Sequence, residues 1–327
     1  MYKYKHYTSL QNTDSRLLRY TGPEQTQASS HYNQNHQSET ASLTSSKASA
    51  SSPPNFTMNS QYPNEKSGFS ERGSAQQSTS NAPAYTPFRT AFASLSLHRS
   101  DRIRLLSFPQ SEIDGIRAVI RQTYTKGLQD EQKYGGSHEF KLYGHPWYGQ
   151  TSDAITSRVV VREILAYLFS VGWILHASTD VSKKVEDKDT LFFRKQQQPP
   201  PASEWVSISF NRSDRLRLIG ADEQLRFAFK NLLSEMRLLQ EDCGWKDQSL
   251  KAWEFKINGY PWLASGEETM RTRLLLMRML ECLECSGWSL YASIDQSSAS
   301  GNDTSETDTW YCVRERGWVP GSAVFHR

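Results

Sequence analysis

The chain has 327 residues, of which 37% are hydrophobic and 22% are charged, and its formal net charge is +3 at pH 7. The opening segment MYKYKHYTSL lacks a continuous apolar stretch, and no run of about eighteen uncharged apolar residues occurs, which disfavours a secretory signal and a membrane span. We therefore expect a protein of the cytosol or nucleus. Residues 92–196 carry 15 Lys and Arg against 12 Asp and Glu, and residues 203–318 carry 14 against 18, which argues against one basic, phosphate-binding surface over both halves.

The N-terminal segment differs in composition from the rest of the chain. Residues 25–80 are mostly Ser, Gln, Asn, Thr, Ala, Pro and Gly, without apolar periodicity. Such a segment buries too little apolar surface to offset the entropy that ordering would cost. We therefore predict a disordered Ser/Gln/Asn-rich tail over residues 1–85.

Four sequence blocks occur twice in the same order, at offsets of 113, 115, 115 and 119 positions. The matching pairs are RSDRIRLL with RSDRLRLI, EFKLYGHPW with EFKINGYPW, GWILHAS with GWSLYAS, and DTLFF with DTWYC. This pattern indicates a tandem duplication. We predict repeat 1 at residues 86–196, a Gln/Pro linker at 197–202, repeat 2 at 203–320 and a short C-terminal tail at 321–327.

Each repeat opens with two strands and a helix. The segments SLSL and RIRLL alternate apolar and polar residues, as SISF and RLRLI do, with turn-forming residues between them. The expected inward side chains are Leu95, Leu97, Ile103 and Leu105 in repeat 1 and Ile208, Phe210, Leu216 and Leu218 in repeat 2. A helical stripe follows at Ile113, Ile116 and Ile120 in repeat 1 and at Leu225, Ala228, Leu232 and Met236 in repeat 2.

The rest of each repeat consists of a variable loop, the EFK strand, a second helix and two further strands. The second helix is expected over residues 152–171 and 267–286. A Gly-Trp pair ends it, because glycine can take the left-handed position after a helix while the next apolar residue packs back on the last turn. The predicted fold class is α+β: two tandem homologous repeats, each a small antiparallel sheet of order ββαβαββ with two helices on one face.

No catalytic constellation or cofactor site is common to the two repeats. The pair Cys282 and Cys285 has CxxC spacing, but it lies inside the second helix of repeat 2. The equivalent positions of repeat 1 are Tyr167 and Ser170, and no nearby His completes a zinc set. The histidines of one repeat correspond to other residue types in the other, so no shared general base emerges. We expect no cofactor and no metal, and we favour a protein without enzymatic activity; a hydrolase or transferase that uses the Asp-rich hairpin is the third alternative.

An Asp-rich hairpin in each repeat is the one segment that could hold a hard cation. Asp180-x-Ser182 and Asp295-x-Ser297 offer clustered oxygen ligands. Turn capping, in which these side chains bond to nearby backbone, is the favoured interpretation.

Eight residues are candidates for binding a partner. Trp147 and Trp262 follow the Gly-x-Pro turns, where a large aromatic ring either enters the core, which we favour, or anchors a partner. The others are basic residues on the expected outer sheet faces, namely Arg102, Arg104 and Lys141 in repeat 1 and Arg215, Arg217 and Lys256 in repeat 2. Basic residues interleaved with aromatic ones are also typical of surfaces that bind single-stranded nucleic acid.

The blocks SxNRSDRLRLI, EFKxxGxPW and GWxLxxSxDxS resemble those of uncharacterised eukaryotic tandem-repeat proteins, found mainly in fungi. The resemblance covers residues 92–318. It implies no known activity, substrate, cofactor or site residue.

The residues that the two repeats share are apolar, Gly, Pro, Trp, Arg and turn-forming Ser and Asp, which are typical of a shared fold. The sequence therefore favours a non-enzymatic binding or scaffolding protein, with its repeats packed as an intramolecular pseudo-dimer and with a protein as its partner. The alternative is binding of RNA or single-stranded DNA through the basic sheet face of repeat 1.

Overall fold

The computed structural model describes residues 90–148, 153–180, 188–296 and 308–324. The predicted tail, and Ser182 and Ser297 of the Asp-rich hairpins, lie outside these ranges. Repeat 1 contains, in chain order, β1 Phe92–His98, β2 Arg102–Leu106, α1 Gln110–Thr123, β3 Leu128–Tyr134, β4 Ser137–Leu142, α2 Asp153–Ser170, β5 Trp173–Thr179 and β6 Thr190–Lys195. Repeat 2 contains β7 Ser203–Asn211, β8 Arg215–Ile219, α3 Glu223–Glu235, β9 Leu239–Asp247, β10 Ala252–Ile257, α4 Glu268–Cys285, β11 Ser289–Ile294 and β12 Thr309–Glu315.

Each repeat forms one antiparallel sheet. Sheet 1 has the strand order β3-β4-β2-β1-β6-β5, and sheet 2 has the equivalent order β9-β10-β8-β7-β12-β11. The predicted α+β class with two tandem repeats is confirmed. The described residues add one strand per repeat, β3 and β9, where the sequence predicted a loop, so the order is ββαββαββ.

The core of each repeat lies between the inner sheet face and its two helices. The eight side chains predicted to point inward from the opening hairpins are all buried, and so are Ile113, Ile116 and Ile120 of α1. In α3 the predicted stripe is partly wrong. Leu225 and Leu232 are buried as predicted and Phe229 and Leu233 are fully buried beside them, whereas Ala228 and Met236 are only half-buried, so the core-facing stripe passes through Phe229 instead of Ala228 and ends at Leu233.

The Gly-Trp pairs end the second helices as predicted. Gly172 and Gly287 have φ values of 80° and 81°, the left-handed region that glycine enters without steric cost. In repeat 2 the N–H of Trp288 donates to the carbonyl of Leu283 at 2.9 Å. Both Trp173 and Trp288 are 2% exposed, so each glycine allows a large ring to close its core.

None of the helices in the described ranges is long and apolar enough to cross a membrane.

Candidate functional site

The RSDR turn and the Gly-x-Pro-Trp turn of each repeat are hydrogen-bonded to each other. In repeat 1 the backbone N–H of Trp147 donates to the carbonyl of Ser100 at 3.1 Å, and that of Leu142 donates to the carbonyl of Asp101 at 2.8 Å. The equivalent bonds of repeat 2 run from Trp262 to Ser213 and from Ile257 to Asp214. The two sequence blocks therefore occur together in each repeat, since the backbone hydrogen bonds between them hold both turns in place.

The two candidate tryptophans differ in exposure. Trp147 is fully buried, and its indole N–H donates to the carbonyl of Arg102 at 3.2 Å. Trp262 is half-buried, donates to the carbonyl of Arg215 at 2.9 Å and packs edge-on against Phe210. Trp147 thus belongs to the core, the placement that the sequence favoured, and it has no exposed surface with which to anchor a partner.

The basic residues of repeat 1 lie around a buried carboxylate. Glu139 on β4 is 1% exposed and accepts hydrogen bonds from Arg102, from Arg104 at 2.7 Å and from Gln132 at 2.9 Å. Lys141 is half-buried and faces Arg102 in the strand register. The carboxylate therefore offsets much of the positive charge that the sequence placed on this face.

Repeat 2 has the same arrangement around Glu254, which is 3% exposed. Its carboxylate lies 2.7 Å from Arg217, 3.4 Å from Lys246 and 3.9 Å from Arg215. Lys256 is half-buried beside Arg215 in the register. Sequence reasoning placed the arginines on the outer face but missed these glutamates, although both stand first in the EFK blocks and share that face.

We expect Glu139→Gln to destabilise the protein by about 3 kcal/mol at pH 7. Burial acts to raise the pKa of Glu139, but the hydrogen bonds from Gln132, Arg104 and Arg102 outweigh it and lower that pKa from 4.5 to about 2. A carboxyl with a lowered folded-state pKa contributes stability above its unfolded pKa and loses it as the pH falls through the folded value. The difference between wild type and variant should therefore be complete above about pH 4.5 and vanish towards pH 2.

Urea denaturation at a series of pH values measures this difference. Glu268→Gln, on an exposed part of α4, is the matched control and should change the free energy of unfolding by less than about 0.5 kcal/mol. A difference that is independent of pH would show that the charge of Glu139 does not stabilise the fold.

The Asp-rich hairpins and the Cys282 thiol are the other groups that the sequence singled out. No group of three or more His, Cys, Asp or Glu side chains in the part of the chain that is described could hold a metal ion. The Asp189 carboxylate accepts from the N–H of Asp295 at 3.0 Å and from the Ser178 hydroxyl at 2.9 Å, so it caps backbone between the two hairpins. Burial raises the pKa of the Cys282 thiol to about 11, which disfavours a reactive thiolate.

One domain-family model matches the chain twice, at residues 91–194 and 204–313. The chain belongs to this family. The two matches coincide with the two sheets and their helices, so each repeat is one copy of the family domain. No curated protein and no solved structure matches the chain significantly.

The two family domains pack together mainly through different faces. Helix α2 of repeat 1 covers its own sheet with one side and contacts strand β7 of repeat 2 with another. Ile155 and Val159 of α2 form an apolar cluster with Ile219 and Ala252, which lie on the outer face of sheet 2. The α2 contact therefore joins the helix layer of one family domain to the sheet of the next, and the edge strands β5 and β11, which hold equivalent positions in the two sheets, also contact each other.

Polar contacts fix this arrangement. Arg158 of α2 is 5% exposed, and its guanidinium donates to the hydroxyl of Thr309 at 3.1 Å. Arg162 donates to the carbonyl of Ile219 at 3.0 Å, and the Tyr291 hydroxyl accepts from the N–H of Leu175 at 2.6 Å. Burial lowers the pKa of Arg158 to about 10, so this cation depends on the precise placement of its hydrogen-bond acceptors.

The outer face of sheet 1 carries nearly the same side chains as the covered face of sheet 2. The strand registers match, so that Phe92, Ser94, Ser96, Leu106, Thr190 and Phe192 correspond to Trp205, Ser207, Ser209, Ile219, Thr309 and Tyr311. We call the first set the open sheet face. Phe92 and Leu106 are 49% and 47% exposed, whereas Ile219 is fully buried under α2, so no helix of the described chain covers this face.

Helix α4 likewise leaves apolar residues exposed at the positions that α2 uses for contact. Met270, Leu274 and Met277, which we call the helix stripe, are 65%, 49% and 58% exposed. When α2 and α4 are aligned with an offset of 115 residues, the helix stripe corresponds to Ile155, Val159 and Arg162. Sequence reasoning missed both surfaces because it treated each repeat separately, although a comparison of α2 with α4 contains the signal.

Proposed function

We propose that this chain is a non-enzymatic interaction protein that binds a helix of a protein partner on the open sheet face of repeat 1. The observation that carries the proposal is the match between this exposed face and the face of repeat 2 that α2 covers. Three serine and threonine positions are identical, and Phe92, Leu106 and Phe192 replace residues of similar size and apolarity. A sheet surface of this composition accepts a helix within the same molecule, and its exposed copy supports the same use between molecules.

The local charge favours an acidic helix as the partner. Arg194 is exposed at the edge of the open sheet face, opposite Phe92 in the register, and repeat 1 has more basic than acidic residues. Charge complementarity of this kind contributes mainly to the association rate and to specificity.

Affinity purification with the full chain tests the proposal. Phe92→Asp combined with Leu106→Asp should abolish recovery of the protein partner, because two carboxylates would replace the apolar contact and repel an acidic helix. Phe227→Asp, a change of the same kind at an exposed position on α3, is the matched control and should leave recovery unchanged. Recovery that is equal for all three proteins would refute the open sheet face as the binding site.

Nucleic-acid binding by the same face is the second candidate. It is supported by the exposed ring of Tyr134, whose centroid lies 3.9 Å from the Arg104 guanidinium carbon, an arrangement on which a base could stack. The same purification distinguishes the two, since nuclease treatment would remove a bound RNA or DNA. Affinity for nucleic acid should also fall steeply with salt and be weakened by Arg104→Ala or Lys141→Ala.

A further inference from the structure

We propose that the open sheet face of repeat 1 binds the helix stripe of a second copy of this chain, so that chains associate head to tail. The inference rests on the proposed function, since it uses the same face and names its partner. The template for the contact is inside the molecule, where α2 of repeat 1 already packs on the sheet of repeat 2.

The apolar part of the contact is present on both sides. Within the chain, Ile155 and Val159 pack against Ile219. Between chains, Met270 and Leu274 would occupy the helix positions and Leu106 the sheet position, and all three are about half exposed or more. Two exposed apolar surfaces gain free energy by covering each other.

The central hydrogen bond can also form between chains. Within the chain, the Arg158 guanidinium donates to the Thr309 hydroxyl. The counterparts are Arg273 on α4 and Thr190 on β6, by the same alignment. Arg273 is exposed on the same side of α4 as the helix stripe, so it is available to a second chain.

The position that differs most between the two contacts carries complementary charges. Phe169 of α2 packs edge-on against Tyr291 and against Trp205, and Trp205 lies opposite Val313 in the strand register. In α4 the position of Phe169 is the exposed Glu284, and in sheet 1 the position of Val313 is the exposed Arg194. Two apolar positions of the internal contact are thus replaced by an acid and a base at the two surfaces that would meet, and this favours a second copy over an unrelated helix.

When two chains associate through two different faces, one open sheet face and one helix stripe of the pair remain unoccupied. Such heterologous association continues into an open series or closes into a ring. The average mass of the protein should therefore rise with concentration beyond that of a dimer.

Sedimentation velocity of the full chain tests this with two blocked variants. Leu106→Asp blocks binding at the open sheet face, and Leu274→Asp blocks binding through the helix stripe. Each variant alone should be monomeric at concentrations where the wild type associates, because its dissociation constant for self-association is raised by about tenfold or more. Both positions are exposed, and circular dichroism checks that the variants fold. A mixture of the two should form a dimer that does not grow, because each chain supplies the face that the other lacks.

The charged pair provides a second, independent test. Arg194→Glu and Glu284→Arg should each weaken association by about tenfold, and the double variant should restore it. Restoration would require that these two residues meet between chains. Association that is unaffected by both changes, or a mixture of blocked variants that stays monomeric, would overturn the proposal.

These results separate self-association from the proposed function. A wild-type chain that is monomeric at every concentration overturns the head-to-tail contact, whether another protein or residues 1–85 of the chain itself cover the face. If a monomeric wild-type chain still recovers a protein partner, and Phe92→Asp with Leu106→Asp abolishes that recovery, the proposed function stands without the head-to-tail contact. Loss of both results would refute both proposals.

Discussion

Trp147→Ala is expected to lower the free energy of unfolding by about 3–5 kcal/mol, the range for removing a large aromatic side chain from a core. The ring is fully buried in the core of repeat 1. Its N–H also satisfies the carbonyl of Arg102, which would lose its bond in the variant. The loop that the RSDR turn closes would lose its apolar support at the same time.

Urea denaturation followed by far-ultraviolet circular dichroism measures the loss. Trp262→Ala is the matched control, because Trp262 holds the equivalent position and makes the equivalent hydrogen bond while remaining half-buried. Its loss should be smaller by at least about 1 kcal/mol, since less apolar surface returns to water. Equal losses would mean that exposure at this position does not set the stability of the repeat.

The elements with clear periodicity were predictable from the sequence, and the polar edge strands were not. The hairpin that opens each repeat alternates strictly, and the Gly-Trp stops have a defined backbone mechanism. Strand β3 reads LQDEQKY, with a single apolar residue before its final Tyr134, so alternation gives no signal. It is a strand because it pairs with β4 across the tight turn at Gly135 and Gly136, both of positive φ.

The surroundings of the candidate arginines depended on strand register. Alternation places Arg102 and Arg104 on the outer face, but only the pairing of β2 with β4 brings Glu139 between them. A one-residue change of register would move Glu139 to the inner face. Charge on a sheet face is therefore poorly predicted from single strands.

The contact between the repeats was the feature that the sequence left unassigned. Helix α2 buries Ile155, Val159 and Phe169 in addition to its core stripe, and a helix that is apolar on more than one side is covered on more than one side. That signal is present in the sequence of α2. The surface that covers the second side depends on tertiary packing, because the outer face of sheet 2 is distant from α2 along the chain.

The packing makes the two family domains unequal although their folds are the same. Helix α2 of repeat 1 packs on the outer face of sheet 2, and the outer face of sheet 1 stays exposed. In repeat 2 the outer sheet face is therefore covered, and helix α4 stays exposed. The duplicated surfaces have diverged accordingly. Phe169 and Val313 are buried at the internal contact, and Glu284 and Arg194 are exposed at the equivalent outer positions.

Phe169→Ala is the prediction that tests the internal contact, with an expected loss of about 3–5 kcal/mol in the free energy of unfolding. Phe169 is 2% exposed and lies 5.4 Å from the ring centroid of Trp205 and 5.5 Å from that of Tyr291, both in edge-on geometry. Those two rings lie 5.0 Å apart. Removing Phe169 thus leaves a cavity between the repeats and breaks two aromatic pairs.

Glu284→Ala changes the equivalent, exposed position of repeat 2 and should alter stability by less than about 0.5 kcal/mol. A double-mutant cycle with Trp205→Ala then locates the effect of Phe169, because residues in contact lose less together than the sum of their separate losses. Urea denaturation of Glu284→Ala, of the two single variants and of the double variant supplies both comparisons. Strictly additive losses would place Phe169 and Trp205 in separate cores and remove the internal template on which the head-to-tail contact is based.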